Sequence, residues 1–253
     1  MTLPTLDKIY FASDQHFGAP TAQKSKPREA LFVAWLDEIK HDAKVLFLLG
    51  DLFDFWFEYK TVVPKGFIRV LGKLAELKDR GIIIHFFVGN HDLWMRDYFE
   101  TELNIPVYYE PQVFTFNKKV FYIGHGDGLG PGDYGYKRMK KVFTNPFSKW
   151  IFRWLHPDIG MRLAQYLSTQ NKLISGEEDV VFLGENQEWL VQYAHDLLKN
   201  KHCDYFVFGH RHLPLEIKLN NNSTYINLGD WVGHYTYGVF DGENLVLKSY
   251  KPL

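Results

Sequence analysis

The chain has 253 residues, long enough for one large α/β domain or two small ones, with a sizeable core in either case. Its net charge of −1 excludes a global basic bias toward nucleic acid, and a single cysteine, Cys203, excludes an internal disulfide and fits a reducing compartment. The N-terminus shows no basic stretch leading into a long apolar run and a small-residue cleavage site, and no apolar run is long enough to span a bilayer, so a cytosolic protein is expected.

The first half alternates strand and helix signals. "KIYFAS" is a short apolar run of strand formers, followed after a loop by "REALFVAWLDEIK", where Leu31, Trp35 and Ile39 recur at helical spacing. "VLFLLGD" is fully apolar, as a strand covered on both faces would be. "FIRVLGKLAELKDRG" then places Phe67, Val70, Leu71, Leu74 and Leu77 on one stripe, with Gly81 as the helix stop. With "IIIHFFVGN" the order becomes β-α-β-α-β, which predicts parallel strands and right-handed crossovers.

From about residue 106 the signals change to short strands: "PVYYE", "VFTFN", "KVFYIGH", and later "DYFVFGH", "LPLEIKL", "STYINLG" and "YTYGVFDGENLVLKSY". Between the two sets lies a helical stretch over about 130–200. No repeat, low-complexity tract or linker marks a second domain. The reading is a single α/β domain over 1–253 with a helical lid insertion at about 130–175.

The chemistry gathers behind the apolar strands. "YFASDQH" ends in Asp14 and His16, "LFLLGDLFD" in Asp51 and Asp54, "FFVGNHD" in Asn90, His91 and Asp92, "FYIGHGD" in His125 and Asp127, and "FVFGHRH" in His210 and His212. A strand end with two imidazoles suits a metal ligand and a solvated terminus equally well. Five polar strand ends in one chain favour convergence, because ligands of α/β sheets bind outside the carboxyl ends of the strands. Gly50, Gly89, Gly124 and Gly209 precede four of these ends and allow sharp turns and close approach. Asp14, His16, Asp51 and His212 suit one cation, and Asp51, Asn90, His125 and His210 a second, with Asp51 shared. Two divalent ions sharing a carboxylate lie roughly 3.5–4 Å apart, the arrangement used for phosphoryl transfer. Imidazole with carboxylate suits Mn, Fe or Zn better than Mg or Ca.

"DQH", "GDLFD", "GNHD", "GHGD" and "GHRH", in that order, resemble the calcineurin-like metallophosphoesterase family. The resemblance spans Asp14 to His212. It implies a two-sheet αββα sandwich with a dinuclear centre at the strand ends, manganese being the expected ion and zinc or iron the alternatives. It also implies that His91 is a non-ligand that contacts phosphate or the leaving oxygen, and we expect Asp54 to orient His91 through a hydrogen bond.

The stretch "HGDGLGPGDYGYKRMKKVFTNPFSKWIFRWLHPDIGMRLAQYLSTQNK" resembles the lid of the UDP-2,3-diacylglucosamine hydrolases of lipid A biosynthesis, which release UMP and 2,3-diacylglucosamine 1-phosphate. The resemblance implies substrate contacts by Asp133 and Tyr136. Asn90 and His91 would also touch substrate, with Lys137, Arg138 and Lys172 as phosphate or headgroup contacts. Proteobacterial members of that subfamily carry a pattern like "GNRD", whereas this chain has "GNHD". From the residues alone, "PFSKWIFRWLHP" puts Phe147, Trp150, Ile151, Trp154 and Leu155 on one helical face. Eight Lys or Arg against two Asp between Gly130 and Lys172 make the segment about +6. Such a segment suits acyl chains, a pyrophosphate or an anionic bilayer, though from the residues alone a pair of amphipathic helices packed on the core with their charges solvated is the favoured reading.

The leading expectation is therefore a Mn-dependent pyrophosphohydrolase acting on a nucleotide-lipid, peripheral on the cytosolic face of the inner membrane. The alternatives are a metallophosphoesterase of soluble nucleotides or other phosphodiesters, and a lipid-binding protein with a relic metal site. No nucleic-acid partner is expected. "LGDWVGHYTY" adds Asp230, Trp231 and His234 near the second sheet, with Trp231 read as a packed aromatic.

Overall fold

The computed structural model describes residues 7–131, 134–164, 166, 181, 182 and 184–251. The elements of the first half are β1 (Lys8–Ala12), α1 (Ala22–Ile39), β2 (Ala43–Leu49), α2 (Ile68–Asp79), β3 (Ile83–Phe87), α3 (Tyr98–Leu103) and β4 (Val107–Tyr108). Then come β5 (Gln112–Phe116), β6 (Lys119–Ile123), and the lid helices α4 (Tyr134–Thr144), α5 (Pro146–Arg153) and α6 (157–164). The chain finishes with α7 (Trp189–Leu198), β7 (Tyr205–Phe208), β8 (Pro214–Asn220), β9 (Ser223–Leu228), β10 (Thr236–Phe240) and β11 (Leu245–Ser249).

Two sheets result, one in the order β11-β10-β1-β2-β3-β4 and the other in the order β5-β6-β7-β9-β8. Strands β1 to β4 are parallel, and β10 closes one side of β1 in the antiparallel sense. Residues of β1 and β2 alternate between two buried faces, so both strands read as apolar throughout. Phe11, Val45, Phe47 and Leu49 face the second sheet, where Phe121, Ile123, Val207 and Ile226 meet them. Tyr10, Ala12, Leu46 and Leu48 face the outer layer of Phe32, Trp35, Leu74 and Leu77 from α1 and α2. Helix α7 covers the far side of the second sheet through Leu190, Val191 and Ala194. The layers are therefore helix, sheet, sheet, helix.

Helix α2 ends as its sequence implies. Gly81 takes φ +85°, its N–H bonds to Lys78 O at 2.9 Å, and Ile82 N–H bonds to Leu77 O at 3.1 Å, the paired bonds that close a helix on a left-handed glycine. Three short strands join the first sheet although they follow the change of pattern at residue 106. "PVYYE" supplies β4, parallel to β3, and the C-terminal β10–β11 hairpin returns beside β1.

Candidate active site

Three of the five polar strand ends, those after β1, β2 and β7, leave their sheets through backbone that side chains normally avoid. Asp14 (φ 58°), His16 (φ 46°), Asp51 (φ 53°), His210 (φ 70°) and His212 (φ 51°) are all left-handed. A non-glycine residue there costs on the order of 1 kcal/mol or more, and such strain concentrates at functional sites. Its effect is to turn five side chains inward from strands of two sheets. Gly89 and Gly209 permit the approach. A Cβ on Gly89 would overlap Asp51 Oδ1, and one on Gly209 would overlap Ser13 Oγ and Asp14 Oδ2.

The side chains meet as two cages with a common wall. On one side, His16 Nε2 faces His212 Nε2 at 3.1 Å, with Asp14 Oδ1 3.5 Å from His212 and 3.8 Å from His16. Asp51 Oδ2 lies 3.7 Å from His16 Nε2 and 3.6 Å from His125 Nε2, and so borders both cages. On the other side, Asn90 Oδ1 lies 3.1 Å from His125 Nε2 and 2.9 Å from His210 Nδ1. These are the two residue sets proposed from the sequence, brought together at the strand ends.

The donor set fits cations. Asp14 Oδ1 is buried without a hydrogen-bond donor, which is costly for a carboxylate oxygen unless a positive charge faces it. Two imidazole nitrogens 3.1 Å apart can hold at most one proton between them. Burial works against the charge on Asp14 and Asp51, yet the surrounding histidines hold both below the usual carboxylate range. Burial likewise disfavours protonated His125, but Asp51 and Asp14 outweigh it and raise its pKa to about 9. A cation held between these groups would take the place of that proton. Asp92 is different: burial and then Asp51 push its carboxyl up to about 8. It accepts Gly89 N–H at 2.6 Å and Leu52 N–H at 3.1 Å, bracing the turns after β2 and β3.

His91 stands edge-on to His16 with ring centroids 4.6 Å apart, and its backbone N–H donates to Asp51 Oδ1 at 2.8 Å. Its Nδ1 donates to the backbone carbonyl of Asp54 at 2.9 Å, whereas the Asp54 carboxylate is 3.7 Å from that nitrogen and 3.6 Å from His16 Nδ1. Asp54 thus orients His91 through its main chain, and its carboxylate lies between the two imidazoles.

A cleft of about 190 Å³ opens on Asn90, His91 and Asp54 and runs under the lid. Its walls are apolar: Phe55, Trp56 and Trp94 from the core, and Met139, Phe143, Phe152 and Leu163 from the lid. The lid is fastened there by Phe152, which packs against Phe57 and Trp94, and by the Trp94 Nε1–H bond to Phe143 O at 2.6 Å. Asn145 caps α5 by accepting Phe147 N–H at 2.8 Å, and Pro146 follows it.

The expected single face of α5 is divided. Leu155 packs inward beside Phe152, while Phe147, Trp150, Ile151 and Trp154 face solvent, Trp154 at 76% exposure. A helix pair packed on the core with only its charges solvated does not describe this lid. Of the expected substrate contacts, Tyr136 lines the cleft and donates to Asp127 Oδ2 at 2.5 Å, where Lys140 Nζ also bonds at 2.6 Å. Lys137 Nζ donates to Gly130 O at 2.6 Å, at the stem of the lid, and Arg138 is exposed on α4. Asp133 and Lys172 lie outside the described residues.

Two groups at the site, Arg211 and Glu188, escaped the sequence reading, and a third, Asp230, was named there without a role. Asp230 accepts from His212 Nδ1 at 3.2 Å, and Arg211 and Glu188 form a buried ion pair behind the histidine loop. The aspartate of "GDW" after β9 repeats the glycine-acid signature of the other strand ends and was the available signal. Nothing local marks Glu188.

The calcineurin-like phosphoesterase family model matches residues 7–214. The chain belongs to that family. It is 37% identical to the UDP-2,3-diacylglucosamine hydrolase of Porphyromonas gingivalis over 96% of this chain and 97% of that protein. The UDP-2,3-diacylglucosamine hydrolase of Actinobacillus succinogenes is 25% identical, with 89% of this chain and 92% of that protein covered. Among solved structures, the E. coli phosphoesterase Yfce covers 96% of this chain and 92% of its own, at 18% identity and a TM-score of 0.47. As a member of the family the chain is a hydrolase, and the family implies divalent metal ions.

Proposed function

We infer that this chain hydrolyses UDP-2,3-diacylglucosamine at its pyrophosphate, giving UMP and 2,3-diacylglucosamine 1-phosphate, the substrate named for its relatives. The observation that carries the reading is the apolar cleft opening on Asn90 and His91, because a soluble nucleotide needs no cleft walled by aromatic side chains beside its phosphates. We read the chain as one domain with a lid at about 130–175, under which the acyl chains lie.

Asp14, His16, Asp51 and His212 hold one divalent cation, and Asp51, Asn90, His125 and His210 the other. When bound, the pair supplies an activated water and neutralises the phosphoryl oxygens. Manganese is the ion proposed, with zinc and iron suited to the same donors. His91, its Nδ1 fixed on Asp54 O, carries charge developing on the reacting phosphate. A phosphate leaving group needs little protonation, so a held imidazole serves where "GNRD" relatives use a guanidinium. Tyr136 shapes the cleft mouth; Asp133, Lys137, Arg138 and Lys172 complete the proposed substrate contacts.

The outer face of the lid extends the reading to a membrane surface. Phe147, Trp150 and Ile151 are exposed on α5, with Trp154 exposed at its C-cap, while Lys149 and Arg153 are partly buried. An exposed aromatic stripe on a lid that also exposes Arg138, Lys141 and Arg162 suits the boundary between lipid headgroups and acyl chains. No helix among the described residues is long and apolar enough to cross a membrane, so the proposed attachment is peripheral, on the cytosolic face. The deciding assay compares UMP release from UDP-2,3-diacylglucosamine with turnover of a dinucleoside polyphosphate. The reading expects the lipid substrate to be strongly preferred; equal or reversed turnover contradicts it.

A further inference from the structure

The partners of His212 set one cage apart from the other. Its Nδ1 donates to Asp230 Oδ2 at 3.2 Å. The second oxygen, Oδ1, accepts three backbone N–H groups, from Val232 at 3.0 Å, Gly233 at 2.8 Å and His234 at 3.0 Å. Those donors lock the carboxylate, leaving Oδ2 aimed at the imidazole. Asp230 is 5% exposed, and its turn is tied to the first sheet by Trp231 N–H to Asp14 O at 3.1 Å. The Trp231 ring is buried against Phe32 and Trp35, so the turn has little freedom. Across the shared Asp51 the arrangement differs: His125 Nδ1 bonds to the Leu49 backbone carbonyl at 2.6 Å, and His210 turns its Nδ1 toward Asn90.

We propose that Asp230 is a positioning residue that makes the Asp14–His16–His212 cage the tighter of two unequal cation sites. An ionised carboxylate only accepts hydrogen bonds, so it keeps the His212 proton on Nδ1 and leaves the Nε2 lone pair directed at His16 and Asp14. A carboxylate behind a ligating imidazole also raises its basicity, which a backbone carbonyl does less strongly. The inference rests on the two-cation reading above and adds an order of affinity to it.

Asp230→Asn separates the two effects of the carboxylate. The three backbone N–H groups still require an acceptor and hold the amide oxygen in place, which turns the amide N–H toward His212. A donor at that position favours the tautomer protonated on Nε2, the wrong atom for a ligand. The experiment is a Mn²⁺ titration of the metal-stripped full chain by calorimetry, with ring ¹⁵N NMR of the histidines and a melting curve alongside. We expect two unequal steps in the unaltered chain. Asp230→Asn weakens the tighter step about 10–100-fold and spares the other. His210→Gln weakens the weaker step, which assigns the two. The His212 proton sits on Nδ1 in the unaltered chain and moves to Nε2 in Asp230→Asn. An unchanged titration, equal weakening of both steps, or an unaltered chain with the His212 proton on Nε2 overturns the role of Asp230. The last readout needs no variant to fold. Fewer than two equivalents bound by the unaltered chain overturns the two-cation reading itself.

Discussion

Arg211 and Glu188 form an ion pair with 1% and 0% side-chain exposure directly behind the loop that carries His210 and His212. Arg211 Nε donates to Glu188 Oε2 and Nη2 to Oε1, each at 2.9 Å, and the guanidinium lies 4.7 Å from the Trp189 ring centroid. Both stems of the lid reach this point. A Cβ on Gly130 would stand 2.6 Å from Trp189 O, and Val181 O accepts from Arg211 Nη2 at 2.9 Å. Two left-handed histidines flank Arg211, so the pair braces strained backbone as well as the lid.

Breaking this pair from one side leaves a buried charge unmatched, which costs about 3–5 kcal/mol. Arg211→Met is therefore expected to lower the melting temperature by roughly 10 °C in a chain of this size. Joining it with Glu188→Leu should recover most of that loss, since two apolar groups of similar volume replace a buried pair at little net cost. Thermal melts of the single and double variants check this. A single variant that melts like the unaltered chain removes the pair from any bracing role.

Trp150 and Trp154 face solvent at 54% and 76% exposure, so replacing both with Ser should change stability by only about 0.5 kcal/mol per site. The expected effect is on surface binding. Co-sedimentation with vesicles containing anionic lipid should fall, and KM for vesicle-borne substrate should rise while turnover of a small chromogenic phosphodiester holds. Unchanged sedimentation would remove the stripe from membrane contact.

His85 offers a pH test away from the cages. Its ring stacks on Phe47 with centroids 4.8 Å apart, and its Nδ1 meets Tyr108 OH at 3.1 Å. Burial, then the charge of Lys78, lowers its pKa to about 4 from an ordinary 6.5. The unfolded chain therefore binds a proton between these values that the folded chain refuses. The stability from neutral His85 is complete above pH 6.5 and is lost as pH falls toward 4. Screening of the half-buried ring limits the effect to about 1–2 kcal/mol. Denaturant melts of His85→Phe should show a shallower decline over that window than the unaltered chain; parallel declines would assign the acid sensitivity elsewhere.

The cages were legible in the sequence because each contributing residue sits next to its own apolar strand. Asp14 follows β1, Asp51 follows β2 and His210 follows β7, so strand periodicity and a terminal polar group suffice to nominate them. The layering was legible for the same reason. The sequence did not disclose pairings between distant segments. Glu188 and Arg211 are 23 residues apart and join across the lid return, which no local pattern encodes. Nor could periodicity orient the lid. It grouped Leu155 with Trp150 and Trp154, but the groove between Phe57 and Trp94 takes Phe152 and Leu155 and leaves the tryptophans outside. The strand "PVYYE" shows the same limit, since two paired residues of β4 choose their sheet by tertiary contact with β3.

The central claim is that Asp51 is the common wall of two cation cages. Crystals of the full chain grown with Mn²⁺, with anomalous scattering recorded at the manganese edge, test it most directly. The account predicts two peaks flanking Asp51 Oδ2, roughly 3.5–4 Å apart, one beside Asp14, His16 and His212 and the other beside Asn90, His125 and His210. A single peak, or peaks that leave Asp51 out of contact, would contradict it.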